Sequence, residues 1–205
     1  MNYNTLAPKE TVDRTIKALE TKHIHTILVR DKTEALEKIK ELIPEGASVM
    51  NGSSVSLEQI GFVDYLKSGN HGWNNLHKAI VEEKDPIKQA ALRKQSVLSD
   101  YYVGSVHALI ENGECIIASN TGSQLPHIVF TSPNIIFVVS TKKIVPDFTE
   151  GMKRLENYVV PLEDKHMMEK YGMNTALNKI VIFKNENPTL GRNIRMILVE
   201  DDIGF

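Results

Sequence analysis

The sequence has a single cysteine, Cys115, among its 205 residues. That excludes a disulfide framework. It also excludes any zinc or iron–sulfur site that needs several thiolates from one chain. A reducing compartment is the expected setting. Positive charge is not in excess either: 24 Lys and Arg stand against 26 Asp and Glu, and the formal net charge is −2. No basic cluster is longer than two residues, as at Lys142-Lys143, far short of a nucleic-acid footprint. No apolar run approaches the length that spans a bilayer. Lys9, Glu10, Asp13, Arg14, Lys17 and Glu20 break up the apolar stretch that a secretory signal requires. The expectation is a cytoplasmic protein with no membrane and no nucleic acid as partner. Neither G-x-G-x-x-G nor a P-loop lysine occurs, so the usual dinucleotide and nucleoside-triphosphate loops are not supported.

What is present is ordinary globular composition, 41% hydrophobic and 24% charged. The length fits one domain over 1–205, with residues 1–25 as an N-terminal helical extension. Val12, Ile16 and Leu19 after Pro8 fall on one helical face, and so do Leu36, Ile39, Leu42 and Ile43 after a cap at Asp31 or Thr33. Thr26–Val29, Ala47–Met50, Ile135–Val139, Ile180–Phe183 and Ile194–Val199 read as strands. Ser56 is a candidate cap for a helix from Leu57. Residues 67–77 break every period and read as a loop, in which Trp73, His71 and His77 form either a lid or merely surface. Asp85-Pro86 opens a helix with Ile87, Ala90, Ala91, Lys94 and Val97 inward. A further helix runs over Asp147–Val159, with a stripe of Phe148, Met152, Leu155 and Val159. Tyr101–Ile110 and Cys115–Ser119 flank Asn112-Gly113, which predicts a hairpin with a two-residue turn. The pattern is an α/β fold: a mostly parallel sheet with helices on both faces and an antiparallel hairpin.

Two polar loops follow predicted strands, Asn51-Gly52-Ser53-Ser54 and Asn120-Thr121-Gly122-Ser123-Gln124. Open α/β sheets bind ligands beyond the carboxyl ends of their strands, so the loops are expected to share one pocket. Glycine between small polar residues lets backbone N–H groups approach an anion; the plain alternative is a capped turn. With a two-residue turn, Glu111 pairs with Glu114, His107 faces Ala118 and Ser105 faces Asn120. Ser105, His107 and Asn120 then project to one side. His107 is an acid–base candidate, or else a buried histidine satisfied by the backbone. Glu111 is a second acid–base candidate, or else a charge beside an exposed turn. Lys143 can reach an anion as a point charge, whereas Lys142 reads as part of a solvated turn. No metal site is indicated.

These segments together resemble the lactate-utilisation (LUD) domain family over nearly the whole chain, from about Asp31 to Phe205. The resemblance is carried by Asn51-Gly52-Ser53-Ser54-Val55-Ser56-Leu57-Glu58-Gln59-Ile60-Gly61, by Gly104-Ser105-Val106-His107-Ala108 with Glu111-Asn112-Gly113-Glu114, by Gly122-Ser123-Gln124-Leu125 and by Lys143-Ile144-Val145-Pro146-Asp147. Pro161-Leu162-Glu163-Asp164, Tyr171-Gly172, Asn178-Lys179, Leu198-Val199-Glu200 and Gly204-Phe205 complete it. It implies a modified Rossmann-type sheet like that of the sugar-phosphate isomerase and CoA-transferase superfamily. It also implies a pocket for a small anionic metabolite: a carboxylate, a sugar phosphate or a coenzyme A derivative. Some relatives act in lactate oxidation beside a partner or attached domain carrying iron–sulfur clusters. This chain lacks the cysteines for one, and no other cofactor is evident. The alternative role is therefore a non-catalytic subunit that docks on an iron–sulfur or flavin partner. Some relatives carry an Arg after the central glycine loop where this chain has Gln124, which leaves Lys143 as the pocket cation.

Overall fold

The computed structural model describes residues 1–205. Helix α1 (Lys9–Thr21) starts behind Pro8 and buries Val12, Thr15 and Leu19. Strand β1 (Ile24–Val29) leads to α2 (Lys32–Leu42), whose first N–H groups at Thr33 and Glu34 are accepted by the Asp31 carboxylate. Then follow β2 (Ser48–Asn51), α3 (Val55–Gln59), α4 (Phe62–Ser68), β3 (Asn74–Asn75), α5 (Leu76–Glu82) and α6 (Pro86–Gln95). The second half holds β4 (Tyr101–Gly104), β5 (Ala108–Ile110), β6 (Cys115–Ser119), β7 (Asn134–Ser140) and β8 (Ile144–Val145). Helix α7 (Phe148–Arg154) runs through a π-helical turn at Leu155–Val159 into α8 (Val160–Tyr171), and β9 (Lys179–Phe183) and β10 (Asn193–Val199) follow. The wide turn lies directly before Pro161, whose ring an unbroken α-helix would not accommodate. No helix is long and apolar enough to cross a membrane.

Six strands form a parallel sheet in the order β1-β10-β7-β4-β2-β3. Its central strands are apolar on both faces, as crossover-covered strands must be. Ile135, Phe137 and Val139 of β7 enter one core with Val12, Leu19, Met196 and Leu198. Ile136 and Val138 enter the other with Ile39, Leu57, Phe62, Trp73 and Val199. The fold is thus the expected α/β class with a mostly parallel sheet. The coverage differs from expectation. One face carries helices, while the other carries α1 together with a second sheet of order β8-β5-β6-β9. A third core under α7 and the π turn backs that second sheet, through Ala108, Ile110, Ile116, Val145, Leu155 and Val159.

Four local expectations need correction. The run Tyr101–Ile110 is two strands in two sheets, because the chain leaves the parallel sheet after Gly104 and enters the second at Ala108. The hairpin pairs Ala108 with Ile116 and Leu109 with Cys115, one residue away from the register of a two-residue turn. Its loop is Glu111-Asn112-Gly113, with Gly113 alone in the left-handed region at φ +86° and Gly113 N–H donating to the Ile110 carbonyl at 2.7 Å. That is the three-residue loop with a bulge glycine. Helix α6 leaves Ile87 82% exposed and buries none of its residues, so the expected inward stripe faces out. Gln89 anchors it to α5 through polar contacts, donating to the carbonyls of Ile80 and Glu83 at 3.0 and 3.2 Å. Residues 67–77 are held rather than lid-like. Trp73 is buried, stacks on His71 and donates its indole N–H to the Ile43 carbonyl at 3.1 Å.

Candidate functional site

Strands β2, β4 and β7 end side by side, and each carboxyl end delivers a polar segment. After β2, Gly52-Ser53-Ser54 leads into α3, with Ser54 Oγ accepting from the Leu57 N–H at 3.4 Å. The cap is Ser54, not Ser56, so the helix begins two residues earlier than expected. Gly52 is required by close approach. A Cβ there would lie 2.4 Å from the Tyr102 hydroxyl and 2.8 Å from Gln124 Oε1. Tyr102 donates to Gln124 Oε1 at 3.1 Å, so the two polar loops meet across the end of β4. After β4, Ser105 and His107 lie in the crossing between sheets. After β7, a short turn at Thr141–Lys143 points Lys143 back beneath them.

Together these segments enclose a cleft of about 330 Å³. Gly52, Ser53 and Ser54 line it from the first loop and Asn120, Thr121, Ser123 and Gln124 from the second. Ser105, His107 and Lys143 form its floor, and Gly204 and Phe205 close one side. The opposite wall is apolar: Leu155, Val159 and Val160 come from the π turn and its continuation, and Met167 from α8. The expected route to this convergence was a continuous hairpin in another register. The residues meet instead because the chain switches sheets at Ser105.

Three of the expected residues do not line the cleft. Asn51 is buried behind it, with Oδ1 unpartnered, and borders a separate hollow with Lys67 and His77. Gly122, at φ +87°, lies against the Lys179 side chain. Glu111 sits at the hairpin tip, paired with Arg14 of α1 at 3.0 Å. The acid–base role expected of Glu111 in the cleft therefore has no geometry, because its partner draws it to α1.

The electrostatics are dominated by buried positive charge without carboxylates. Lys143 is 4% exposed. Its Nζ contacts Ser56 Oγ at 3.1 Å, Ser105 Oγ at 3.1 Å and the Val106 carbonyl at 3.2 Å. Burial holds its amine well below the usual lysine range, and Arg154 and Lys142 nearby add to the shift. Arg154 is fully buried and donates to the His107 carbonyl, while its Nε and Nη2 have no partner. The rings of Tyr3 and Tyr158 pack over its guanidinium at 5.7 and 5.4 Å. Burial lowers Arg154 to about 10. Lys142 is not solvated as expected. Its side chain is buried, pairs with Asp202 and donates to the Gly204 carbonyl at 2.7 Å, which anchors the segment that flanks the cleft.

His107 Nδ1 accepts from the Ala118 N–H at 3.0 Å. A ring nitrogen that accepts carries no proton, so the proton of the neutral ring is on Nε2. Burial, reinforced by Lys143 and Arg154, lowers His107 to about 3. His107 is thus a neutral hydrogen-bond donor rather than a free base. Gln124 also has its amide engaged, since Nε2 donates to the Ala118 carbonyl at 2.8 Å. At the rim, burial raises the Glu163 carboxyl, against the opposing pull of His166 at 3.3 Å. Sequence reading missed Arg154, Ser56 as a lysine partner, and Glu163. A signal existed for Arg154. Gly151, Arg154 and Leu155 share the buried face of their helix, whereas Phe148 of the expected stripe is exposed.

No group of three or more His, Cys, Asp or Glu is placed to hold a metal. Cys115 is buried in the core, with its thiol pushed up to about 12. One such thiol does not fit an iron–sulfur cluster.

A parallel sheet with a cleft beyond three strand ends, backed by a small mixed sheet, defines a Rossmann-like α/β protein whose cleft lies where such folds place their ligands. The chain belongs to the LUD-domain family, whose model matches residues 12–201. A DUF162-family protein from Deinococcus radiodurans, known from its crystal structure, is similar in fold. The TM-score is 0.56 at 9% identity, covering 95% of this chain and 98% of that one. The comparison with curated proteins found no match.

Proposed function

We propose that the cleft binds a small organic anion, a carboxylate or a phosphate ester, with Lys143 as its cationic partner. One observation carries this reading: Lys143 is buried beside the cleft with only neutral oxygens around it. An ammonium group taken out of water without a counter-charge costs several kcal/mol, roughly, and the amine responds by losing its proton. A bound anion supplies the missing charge, and by linkage it restores the proton to Lys143. Arg154, equally without a carboxylate, adds to a positive field at the cleft floor. Ser53, Ser54 and Ser123 offer hydroxyls, and His107 offers its Nε2–H. The apolar wall suits the carbon part of a metabolite, and a coenzyme A derivative would need to extend beyond about 330 Å³.

A thermal-shift panel of short carboxylates and sugar phosphates tests the reading. At about 100 times Kd, binding adds roughly 2.7 kcal/mol and raises Tm by roughly 5–10 °C for a chain of this size. Lys143→Met should abolish the shift, and Ser53→Ala should reduce it. A panel in which no anion stabilises the protein, or in which Lys143→Met responds like the parent, would refute it.

A further inference from the structure

We propose that Lys143 is a nucleophile, whose amine condenses with the carbonyl carbon of an aldehyde or ketone that also carries an anionic group. This rests on the anion-binding reading of the same cleft and names the substrate class: the anionic group of such a substrate sits at the Ser53 and Ser54 hydroxyls and leaves the Lys143 amine neutral for the carbonyl, whereas an anion without a carbonyl pairs with the ammonium form.

The hydrogen-bond inventory around Nζ is what a neutral amine needs. Ser105 Oγ gives its one proton to the Val138 carbonyl at 2.7 Å, so it can only accept from Lys143. The Val106 carbonyl is an acceptor as well. Those two contacts use both N–H bonds of a neutral amine. The lone pair remains, facing Ser56 Oγ–H at 3.1 Å or a carbonyl carbon in the cleft. The space in front of Nζ is kept open by Gly204, where a Cβ would stand 2.9 Å from Nζ and 2.2 Å from Ser56 Oγ. Gly204 is fixed there by its N–H to Gln59 Oε1 at 2.6 Å and by Lys142 on its carbonyl. Desolvation together with neighbouring cations is the combination that frees a lysine amine for covalent chemistry.

The step balances without any further reactant. The Nζ lone pair forms the C–N bond, and the carbonyl π pair moves onto oxygen. Ser56, within reach of both Nζ and Ser105, relays one proton from nitrogen to that oxygen and gives the carbinolamine. The nitrogen pair then forms the C=N bond as the C–O bond breaks. The departing oxygen takes the second N–H proton and leaves as water. Ser56 acts as the proton carrier, and His107 Nε2–H stabilises the oxygen as charge builds on it.

The test uses the full chain with glyoxylate and pyruvate as probes, acetate as the non-carbonyl control, and cyanoborohydride at pH 7. Intact mass and peptide mapping locate the adduct. Each pH unit by which an amine's pKa is lowered gives about tenfold more reactive free base at neutral pH. Lys143 should therefore label at least about tenfold faster than any other lysine. Ser56→Ala should slow its labelling by about tenfold while leaving Lys143 the labelled residue. The mapping on the unmodified protein needs no variant to fold. An adduct spread over surface lysines, or none at Lys143, overturns the imine. If acetate and glyoxylate still raise Tm through Lys143 without an adduct, the imine fails and the anion site stands. If Lys143 labels with glyoxylate but acetate gives no shift, the imine stands and the anion reading fails.

Discussion

Replacing Lys143 with methionine separates a buried amine from a buried charge. In the folded protein the Lys143 pKa lies well below 10.5, pushed there by burial and by Arg154 and Lys142. In the unfolded chain it returns to its ordinary value. Between the two values the unfolded state holds a proton that the folded state has released. Stability therefore rises with pH across that window, by about 1.4 kcal/mol per unit for one proton. The penalty is complete below the folded pKa and gone above 10.5. Lys143→Met removes the term. It also removes three hydrogen-bond contacts to Nζ, each contributing about 1 kcal/mol, but that loss does not vary with pH. Other titrating groups largely cancel between the two proteins. Urea unfolding followed by circular dichroism at pH 7, 8, 9 and 10 should show the parent gaining on the variant by about 1.4 kcal/mol per unit above the folded pKa. Parallel curves would mean that folded Lys143 keeps its proton, and the neutral-amine argument would be refuted.

Three further outcomes follow from the same geometry. Gly52→Ala places a Cβ 2.4 Å from the Tyr102 hydroxyl and should destabilise by about 1–3 kcal/mol. Adding Tyr102→Phe should recover part of the loss, and strict additivity in a double-mutant cycle by urea unfolding would contradict the contact. His107, lowered to about 3, binds its proton in the unfolded chain first. The parent should therefore lose about 1.4 kcal/mol per pH unit relative to His107→Gln as pH falls from 6.5 toward that value, and acid-limb melts that stay parallel would contradict it. Gly113→Ala forces a side chain to φ +86° and within 3.0 Å of Ala18, costing roughly 1–2 kcal/mol. Anion-induced thermal shifts should survive it, because Gly113 does not line the cleft.

The amphipathic helices and the β-branched strands were legible because burial writes a period into sequence. Val12 and Leu19 of α1 and Ile39 of α2 follow it, while β7, buried on both faces, shows instead an unbroken apolar run over Ile135–Val139. The Asp31 cap was legible for a local reason, since the carboxylate and the N–H groups it accepts are two and three residues apart. What failed depended on distant partners. The segment from Tyr101 to Ile110 is apolar on either side of Gly104-Ser105, and those two residues do not by themselves mark a sheet change, because both sheets bury their strands. Asn112-Gly113 fits two turn types that differ by one residue of register, and the second-sheet neighbours β8 and β9 belong to the observed one. Helix α6 has an apolar stripe that nothing in this chain covers. The two polar loops and Lys143 were visible as residue types after strands. Arg154 was hidden inside a helix, and Lys142 looked like an exposed turn until Asp202 was placed beside it.

On the proposal that Lys143 pairs with an anion, ligand binding returns a proton to its amine. Titration calorimetry with a non-carbonyl carboxylate such as propanoate, at pH 8 in two buffers of different ionisation enthalpy, tests it most directly. The expected result is binding coupled to uptake of a proton, with up to one proton gained, lost together with binding in Lys143→Met. Binding with no buffer dependence, or binding that Lys143→Met leaves intact, would contradict it.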